Sequence, residues 1–280
     1  MKLYFTEVQK QRLKELDGGM DHLIQSFSDE QTRDDLFKQM ESQLVRKNKQ
    51  ILKNRLESGH LPVLQHLQNK MSSWLIDEEK FSRVSTPAII SREMLKKMTI
   101  TQDHPLTSQV FWVDKNKCLR PMLAPNLYIM MKEMNKMTKT PIRIFECGSC
   151  FRKESQGAQH LNEFTMLNLV EYGGFENGGQ VERLEYLAKR AMEILEIDTY
   201  KLVVEKSEVY QTTIDIEIDG MEVASCSYGP HPLDHQWGVF DAWVGLGFGL
   251  ERIAMIKGQT TNIKRIGRGL TYYDGIRLST

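Results

Sequence analysis

The sequence predicts an α+β protein, an antiparallel sheet flanked by helices. Three observations carry this. Residues 1 to about 70 are polar, with apolar residues at helical spacing. From Phe81 onward the texture changes to short strands and turns with single helices between them. The strands come in runs and do not alternate regularly with helices, which favours an antiparallel sheet over a doubly wound parallel one.

The elements follow in chain order. Ser28-Asp29-Glu30 reads as a helix start, and Leu36, Phe37, Met40, Leu44 and Val45 then recur on one face. A basic stretch follows, Arg46, Lys47, Lys49, Lys53 and Arg55. On a helix Arg46, Lys49 and Lys53 fall at i, i+3 and i+7 and form one ridge, which can follow a phosphate backbone. The bland alternative is a solvated face, or pairing with acids such as Asp34 and Glu41. Gly59 and Pro62 punctuate, and Val63 to Leu75 reads as a second helix. The predicted division is therefore a helical region at 1–75 and a catalytic core at 76–280. Val84-Ser85-Thr86-Pro87 reads as a strand ending in proline. Ile142 to Cys147 and Phe164 to Val170 read as strands, and Val181 to Ile197 as a long helix with Leu184, Leu187, Ala188, Ala191 and Leu195 inward. Thr213 to Ile218 and Met221 to Ser227 make a hairpin around Asp219-Gly220.

Composition excludes several classes. With 40% hydrophobic and 26% charged residues, the 280-residue chain has the makings of one large domain, or a domain with a small appendage, and not of a disordered protein. Lys and Arg number 37, as do Asp and Glu, so any nucleic-acid contact must come from a local patch. No apolar run is long enough to cross a bilayer, and the start turns polar too soon for a signal peptide, so the expected location is the cytoplasm, without a membrane partner. Cys147-Gly148-Ser149-Cys150 is a C-x-x-C, but Cys118 and Cys226 stand apart and supply no second ligand pair for zinc; buried thiols are the expectation.

Chemistry concentrates in three places. Phe151-Arg152-Lys153-Glu154 follows a strand, and residues two apart on a strand face the same way. An arginine there can fork onto a phosphate or carboxylate while the glutamate accepts from an amino group. His160 and Phe164 add a donor and an aromatic face. Gly245-Leu246-Gly247-Phe248-Gly249-Leu250-Glu251-Arg252 has no room around it for a dinucleotide-binding βαβ unit. Glycines at alternate positions leave one strand face bare for a flat ring, which Arg252 could cap or whose phosphate it could meet. Third, Pro125 starts a helix on which Ala124, Leu127, Tyr128 and Met131 share a face. Phe164, Met166, Asn168 and Val170 share a strand face, and an asparagine among apolar neighbours must find a partner, either in the core or on a ligand.

The segment Val84 to Pro87, the Arg152-x-Glu154 pair and the Gly245 to Arg252 run, in this order, resemble the three signature motifs of class II aminoacyl-tRNA synthetases. A closer resemblance, to the pyrrolysyl-tRNA synthetase family, runs through Leu119 to Tyr128, Cys150 to Ser155, Glu163 to Asn168, Gly229-Pro230, Pro232-Leu233-Asp234, Trp243 to Arg252 and Tyr272-Tyr273, with Gln11 to Leu16 in the helical region. It implies the class II catalytic core, a dimer built on the first motif, and an ATP-dependent ligase that adenylates pyrrolysine and transfers it to its tRNA. It implies ATP contacts from Arg152, Glu154, His160, Phe164, Glu222, Ser225, Gly249 and Arg252, with Arg152 and Arg252 catalytic and Glu222 and Ser225 on Mg²⁺. It implies an amino-acid pocket of Ala124, Leu127, Tyr128, Met131, Met166, Asn168, Val170, Tyr210, Trp243 and Gly245, with Asn168 on the side-chain amide carbonyl and Tyr210 on a mobile loop.

Departures are few. Val170 and Met131 stand where some archaeal members carry cysteine and leucine, and both keep an apolar wall. Glu222 and Ser225, three apart, would face opposite ways on a flat strand, so a bulge is required. The chain resembles the short type without a separate N-terminal tRNA-binding domain, which works alone or pairs with a separately encoded tRNA-binding protein. The rivals are a class II synthetase for another large amino acid such as phenylalanine, and a non-catalytic synthetase-like regulator. Asn168 speaks against the first, and Arg152, Glu154 and Arg252 against the second.

Overall fold

The computed structural model describes residues 2–19, 24–138, 141–154, 157–176, 178–207 and 209–278. Two compact units are present, one of residues 1–62 with 264–280 and one of residues 63–263.

In the first unit, strand β1 (Leu3–Tyr4) pairs antiparallel with β2 (Ser26–Phe27), and helix α1 (Glu7–Glu15) lies between them in sequence. Thr6 closes a capping box on Gln9, which fixes where α1 begins. Asp29 caps the long helix α2 (Glu30–Ser58), and Gly59, in the left-handed conformation, ends it. Its apolar stripe, Leu36, Phe37, Met40 and Leu44, covers a small core of Phe5, Leu13 and Phe27. Asn48 is buried and donates to the carbonyl of Leu16. Arg55 leaves the basic stretch, donating to the carbonyl of Asp274 at 2.6 Å beside a hairpin of Tyr272–Tyr273 and Ile276–Arg277.

The second unit opens on helix α3 (Val63–Ser73), which passes into a π-helical turn at Trp74–Glu78. The seven-stranded sheet then runs, in spatial order, β3 (Ser82–Arg83), β6 (Ile142–Phe151), β7 (Glu163–Tyr172), β11 (Trp243–Gly249), β10 (Met221–Gly229), β9 (Gln211–Ile218) and β8 (Lys201–Ser207). Among the described residues only β3 and β6 pair in parallel. Between β3 and β6 come a small hairpin of β4 (Ile89–Ser91) and β5 (Lys117–Leu119), the short helix α4 (Arg92–Lys97) and helix α5 (Ala124–Met137). Helix α6 (Gln180–Ile194) packs Leu184, Leu187, Ala188 and Ala191, all fully buried, toward β10 and β11. Helix α7 (Asp234–Trp237) precedes β11, and α8 (Leu250–Lys257) follows it directly.

Two expectations are corrected. The strand expected at Val84 to Pro87 lies at Ser82–Arg83, because the backbone N–H of Thr86 turns from the ladder to the carboxylate of Glu146 and Pro87 has none to give. Arg152 and Glu154 do not sit on a strand: β6 ends at Phe151, and they follow in irregular backbone. The β9–β10 hairpin turns at Asp219 and Gly220, both at positive φ, as its sequence requires.

Candidate active site

A cavity of about 370 Å³ opens on the face of the sheet formed by β7, β11 and β10. Its floor follows from register. Gly245, Gly247 and Gly249 on β11 stand opposite Val170, Asn168 and Met166 on β7. A Cβ on Gly247 would lie 3.0 Å from the Asn168 amide nitrogen, so the bare strip is what lets the Asn168 side chain stand into the cavity. Oδ1 of Asn168 is buried and has no hydrogen-bond partner among the described residues. A buried amide oxygen on a cavity wall without a protein partner is a candidate contact for a ligand.

One end of the cavity is apolar. Ala124, Leu127, Tyr128 and Met131 face it from one side of α5, with Val170 and Trp243 across from them and Tyr210 above. Tyr128 stacks on Trp237 at 5.2 Å and meets Trp243 edge-on at 5.9 Å. Tyr210 meets Trp243 at 5.8 Å and His231 at 5.6 Å. Burial pushes both tyrosine hydroxyls above their usual range, so both stay protonated. Beneath them Asp234 is 1% exposed. It accepts from the Tyr128 hydroxyl at 2.8 Å, the Trp243 indole N–H at 2.7 Å and the His231 backbone N–H at 2.6 Å.

The other end is charged. Arg152, Glu154, His160, Phe164, Glu222, Ser225 and Arg252 all line it. Arg152 donates from Nε to the carbonyl of Pro121 at 2.9 Å, and its guanidinium lies 5.3 Å from the Phe164 ring. Burial pushes the arginine's pKa down, and Arg252 adds to this, while Glu154 and Glu222 oppose it. His160 Nε2 stands 4.0 Å from Glu154. The loop between them includes Ser155, which lies outside the described residues. Arg252, in the first turn of α8, donates to the carbonyl of Glu222 at 2.8 Å.

Strand β10 carries the bulge that the resemblance's pairing of Glu222 with Ser225 calls for. The register with β9 shifts between Glu222 and Ala224, and this brings Glu222 and Ser225 onto the same cavity. Burial pushes the Glu222 carboxyl up, with Arg252 pulling it back. A half-buried carboxylate of this kind favours a cation beside it. Among the described residues no cluster of three His, Cys, Asp or Glu side chains could hold a metal by itself. One carboxylate and one hydroxyl fit the sparse protein ligation of Mg²⁺, which takes most of its shell from phosphate and water. Ser225 in turn donates to Asp215 at 2.7 Å.

All eighteen residues expected to hold nucleotide or amino acid therefore line one cavity. Arg46, Lys49 and Lys53 lie in the first unit, exposed on α2, and Lys53 reaches Glu57 at 3.7 Å. Two residues of the site are not legible in the sequence. Glu251 is 1% exposed and accepts from the Thr165 N–H with both oxygens, at 2.9 and 2.8 Å, anchoring the strand residue after Phe164. Its only signal is a carboxylate beside Arg252 in a glycine-rich run. Asp234, just below the cavity wall, has no signal beyond its place in Pro232-Leu233-Asp234.

Comparison with known proteins places this arrangement. The family model of the class II tRNA synthetase core domain (F) matches residues 46–273. The crystal structure of a pyrrolysyl-tRNA synthetase from Desulfitobacterium hafniense is similar at 48% identity, covering 99% of this chain and 98% of that one, with a TM-score of 0.88. A second structure of that organism's pyrrolysyl-tRNA synthetase gives 47% identity, the same coverage and a TM-score of 0.87. The phenylalanine–tRNA ligase α subunit of Mycoplasma pneumoniae is 28% identical over 110 residues, a match spanning 39% of this chain and 31% of the subunit.

Proposed function

Since the chain belongs to the class II aminoacyl-tRNA synthetases, and within them to the pyrrolysyl-tRNA synthetase family, we propose that its cavity adenylates pyrrolysine with ATP and that the enzyme transfers the product to a cognate tRNA. The observation that carries the choice of amino acid is the orphaned Asn168 oxygen between an aromatic, apolar end and a charged end. A phenylalanine site has no use for such a group, since the side chain it holds offers nothing to pair with it. The amide of a long acylated lysine does.

In this reading the apolar end holds the pyrroline ring, and the Asn168 amide pairs with the substrate's side-chain amide. Orientation of that amide decides which of its two atoms meets the ligand. Phe164 and Arg252 sandwich the adenine, Glu154 and His160 contact the nucleotide, and Arg152 forks onto the α-phosphate. The substrate carboxylate attacks the α-phosphorus and pyrophosphate leaves; a ribose hydroxyl of the tRNA then attacks the acyl carbon and AMP leaves. Neither step demands a protein base. What the chain contributes is alignment and positive charge where negative charge develops. Glu222 and Ser225 would hold Mg²⁺, which supplies charge neutralisation on the phosphates. We assign tRNA contact to the N-terminal region, residues 1–75, and catalysis to residues 76–280. We also assign a homodimer, with tRNA gripped by the enzyme alone or with a separate tRNA-binding subunit. Among the described residues no helix is long and apolar enough to cross a membrane, which accords with work in the cytoplasm.

The test is amino-acid-dependent pyrophosphate exchange across the standard amino acids and pyrrolysine. Exchange with pyrrolysine and none with phenylalanine supports the reading. Exchange with phenylalanine alone replaces it, and no exchange with any of them leaves a non-catalytic binder.

A further inference from the structure

Beneath the charged end of the cavity lies an ion pair that the mechanism does not use. Arg120 and Glu146 are 4% and 3% exposed, and they meet at 2.8 Å. Their other bonds are all directed. Glu146 also accepts from the Thr86 backbone N–H at 3.1 Å and from its hydroxyl at 2.6 Å. Arg120 donates from Nε to the Ser149 carbonyl at 2.9 Å, and from Nη1 to the carbonyl and hydroxyl of Thr86. Asn126 closes the group by donating to Thr86 and Pro87. A buried pair of this kind gains little over apolar packing in stability, and here its bonds tie three separate segments, at Thr86, Arg120 and Glu146 to Ser149, to one another.

The segment it ties down borders the one that holds Arg152. The carbonyl of Arg120 accepts the N–H of Phe151 at 2.9 Å, at the last rung of β6. The next carbonyl, Pro121, accepts Nε of Arg152 at 2.9 Å. Arg152 lies beyond the strand; its backbone N–H still bonds the Asn162 carbonyl at 3.0 Å, and among the described residues the hydrogen bond on its side chain runs to the Pro121 carbonyl. Pro121 follows Arg120 directly, and the Arg120 side chain bonds the Ser149 carbonyl and passes β6 at Gly148. A Cβ on Gly148 would come within 2.4 Å of Arg120 Nη2. The glycine inside Cys147-Gly148-Ser149-Cys150 thus leaves room for an arginine, and the cysteines flanking it need have no metal.

We propose that Arg120 and Glu146 are positioning residues for adenylation, acting through Pro121 on the guanidinium of Arg152. The proposal rests on the reading of Arg152 as a contact to the α-phosphate. It also joins the end of the first motif, at Thr86 and Pro87, to the arginine of the second.

Two variants test it, Arg120→Lys, which keeps the charge but not the fork, and Gly148→Ala, which keeps Arg120 but displaces it. Pyrophosphate exchange is measured per active site, with sites counted by the burst of adenylate formed. Both variants should lose about tenfold to a hundredfold in kcat, with KM for the amino acid within about threefold of wild type. In the Arg152→Ala background, either change should cost less than about threefold more, because both act through one group. A variant that lowers only the number of active sites, with kcat per site unchanged, would make the pair purely structural and overturn the proposal. Full additivity with Arg152→Ala would overturn it too. Undiminished exchange in Arg152→Ala alone would instead remove the α-phosphate reading of Arg152, whatever Arg120→Lys does.

Discussion

The indole N–H of Trp243 donates to Oδ2 of Asp234 at 2.7 Å, and both side chains are buried. The other carboxylate oxygen receives the hydroxyl of Tyr128, 106 residues earlier in the chain. One carboxylate therefore holds two walls of the apolar end at a set distance. Asp234→Ala should take the acceptor from two buried side-chain donors, at a cost of about 1–3 kcal/mol each, and from the part-buried His231 N–H as well. The expected result is a lower Tm and a raised KM for pyrrolysine, with KM for ATP little changed. Steady-state exchange kinetics check this, and an ATP KM that rises in step with that for pyrrolysine would refute a role confined to the amino-acid end.

Arg152→Ala removes the guanidinium aimed at the α-phosphate. Removing one transition-state interaction costs about 10²–10³ in rate. Adenylate formation should fall by that amount while circular dichroism and Tm stay near wild type. Near-normal exchange in a folded variant would rule out the assignment.

Asn168→Ala removes a polar anchor and opens volume beside Gly247. Activation of pyrrolysine should weaken by about 1–3 kcal/mol, and bulky aromatic amino acids should gain entry. Exchange assays with both substrates check it. Unchanged pyrrolysine activity with aromatics still excluded would make Asn168 a core residue.

Arg46, Lys49 and Lys53 are exposed along α2, and among the described residues Arg46 and Lys49 make no ion pair. Replacing all three with Gln should weaken tRNA binding and flatten its salt dependence, since each phosphate that is no longer neutralised takes about one unit from the slope. Pyrophosphate exchange should not change. Unaltered tRNA affinity and salt slope would place the tRNA grip elsewhere.

Burial pushes the thiols of Cys118 and Cys150 up to about 11 and about 12, and that of Cys226 higher still. The thiolate is the reactive form, so at pH 8 these three should resist iodoacetamide until the protein unfolds. Mass spectrometry of native and denatured samples checks this. Native alkylation of Cys150 would contradict the inert reading of the C-x-x-C motif.

Local rules make much of this fold legible in the sequence, and where they fail the causes are physical. Helix α2 is legible because Asp29, the apolar stripe and Gly59 each act within a few residues. The bulge in β10 is foreseen only through the family resemblance, which pairs Glu222 with Ser225, residues that a flat strand would point to opposite faces. Arg152 and Glu154 do line one cavity, but from irregular backbone past the strand end. Strand β8, Lys201–Ser207, escapes notice because its apolar core of Leu202, Val203 and Val204 is short and flanked by charge at an exposed sheet edge. Asp234 escapes because its meaning lies in Tyr128 and Trp243, and no spacing rule links a carboxylate to a hydroxyl so distant in the chain. Arg120 and Glu146 escape for the same reason, their network spanning three separate segments.

The strip of Gly245, Gly247 and Gly249 bears on how this site can diverge over generations. The walls, Met131, Met166 and Val170, can drift in either direction, since each can be replaced by something larger or smaller. The floor can drift in one direction only, because a glycine can only gain atoms. At Gly247 the first atom gained would already press on Asn168, 3.0 Å away. Lineages that change their substrate should therefore record that history in the walls, with Gly247 left blank.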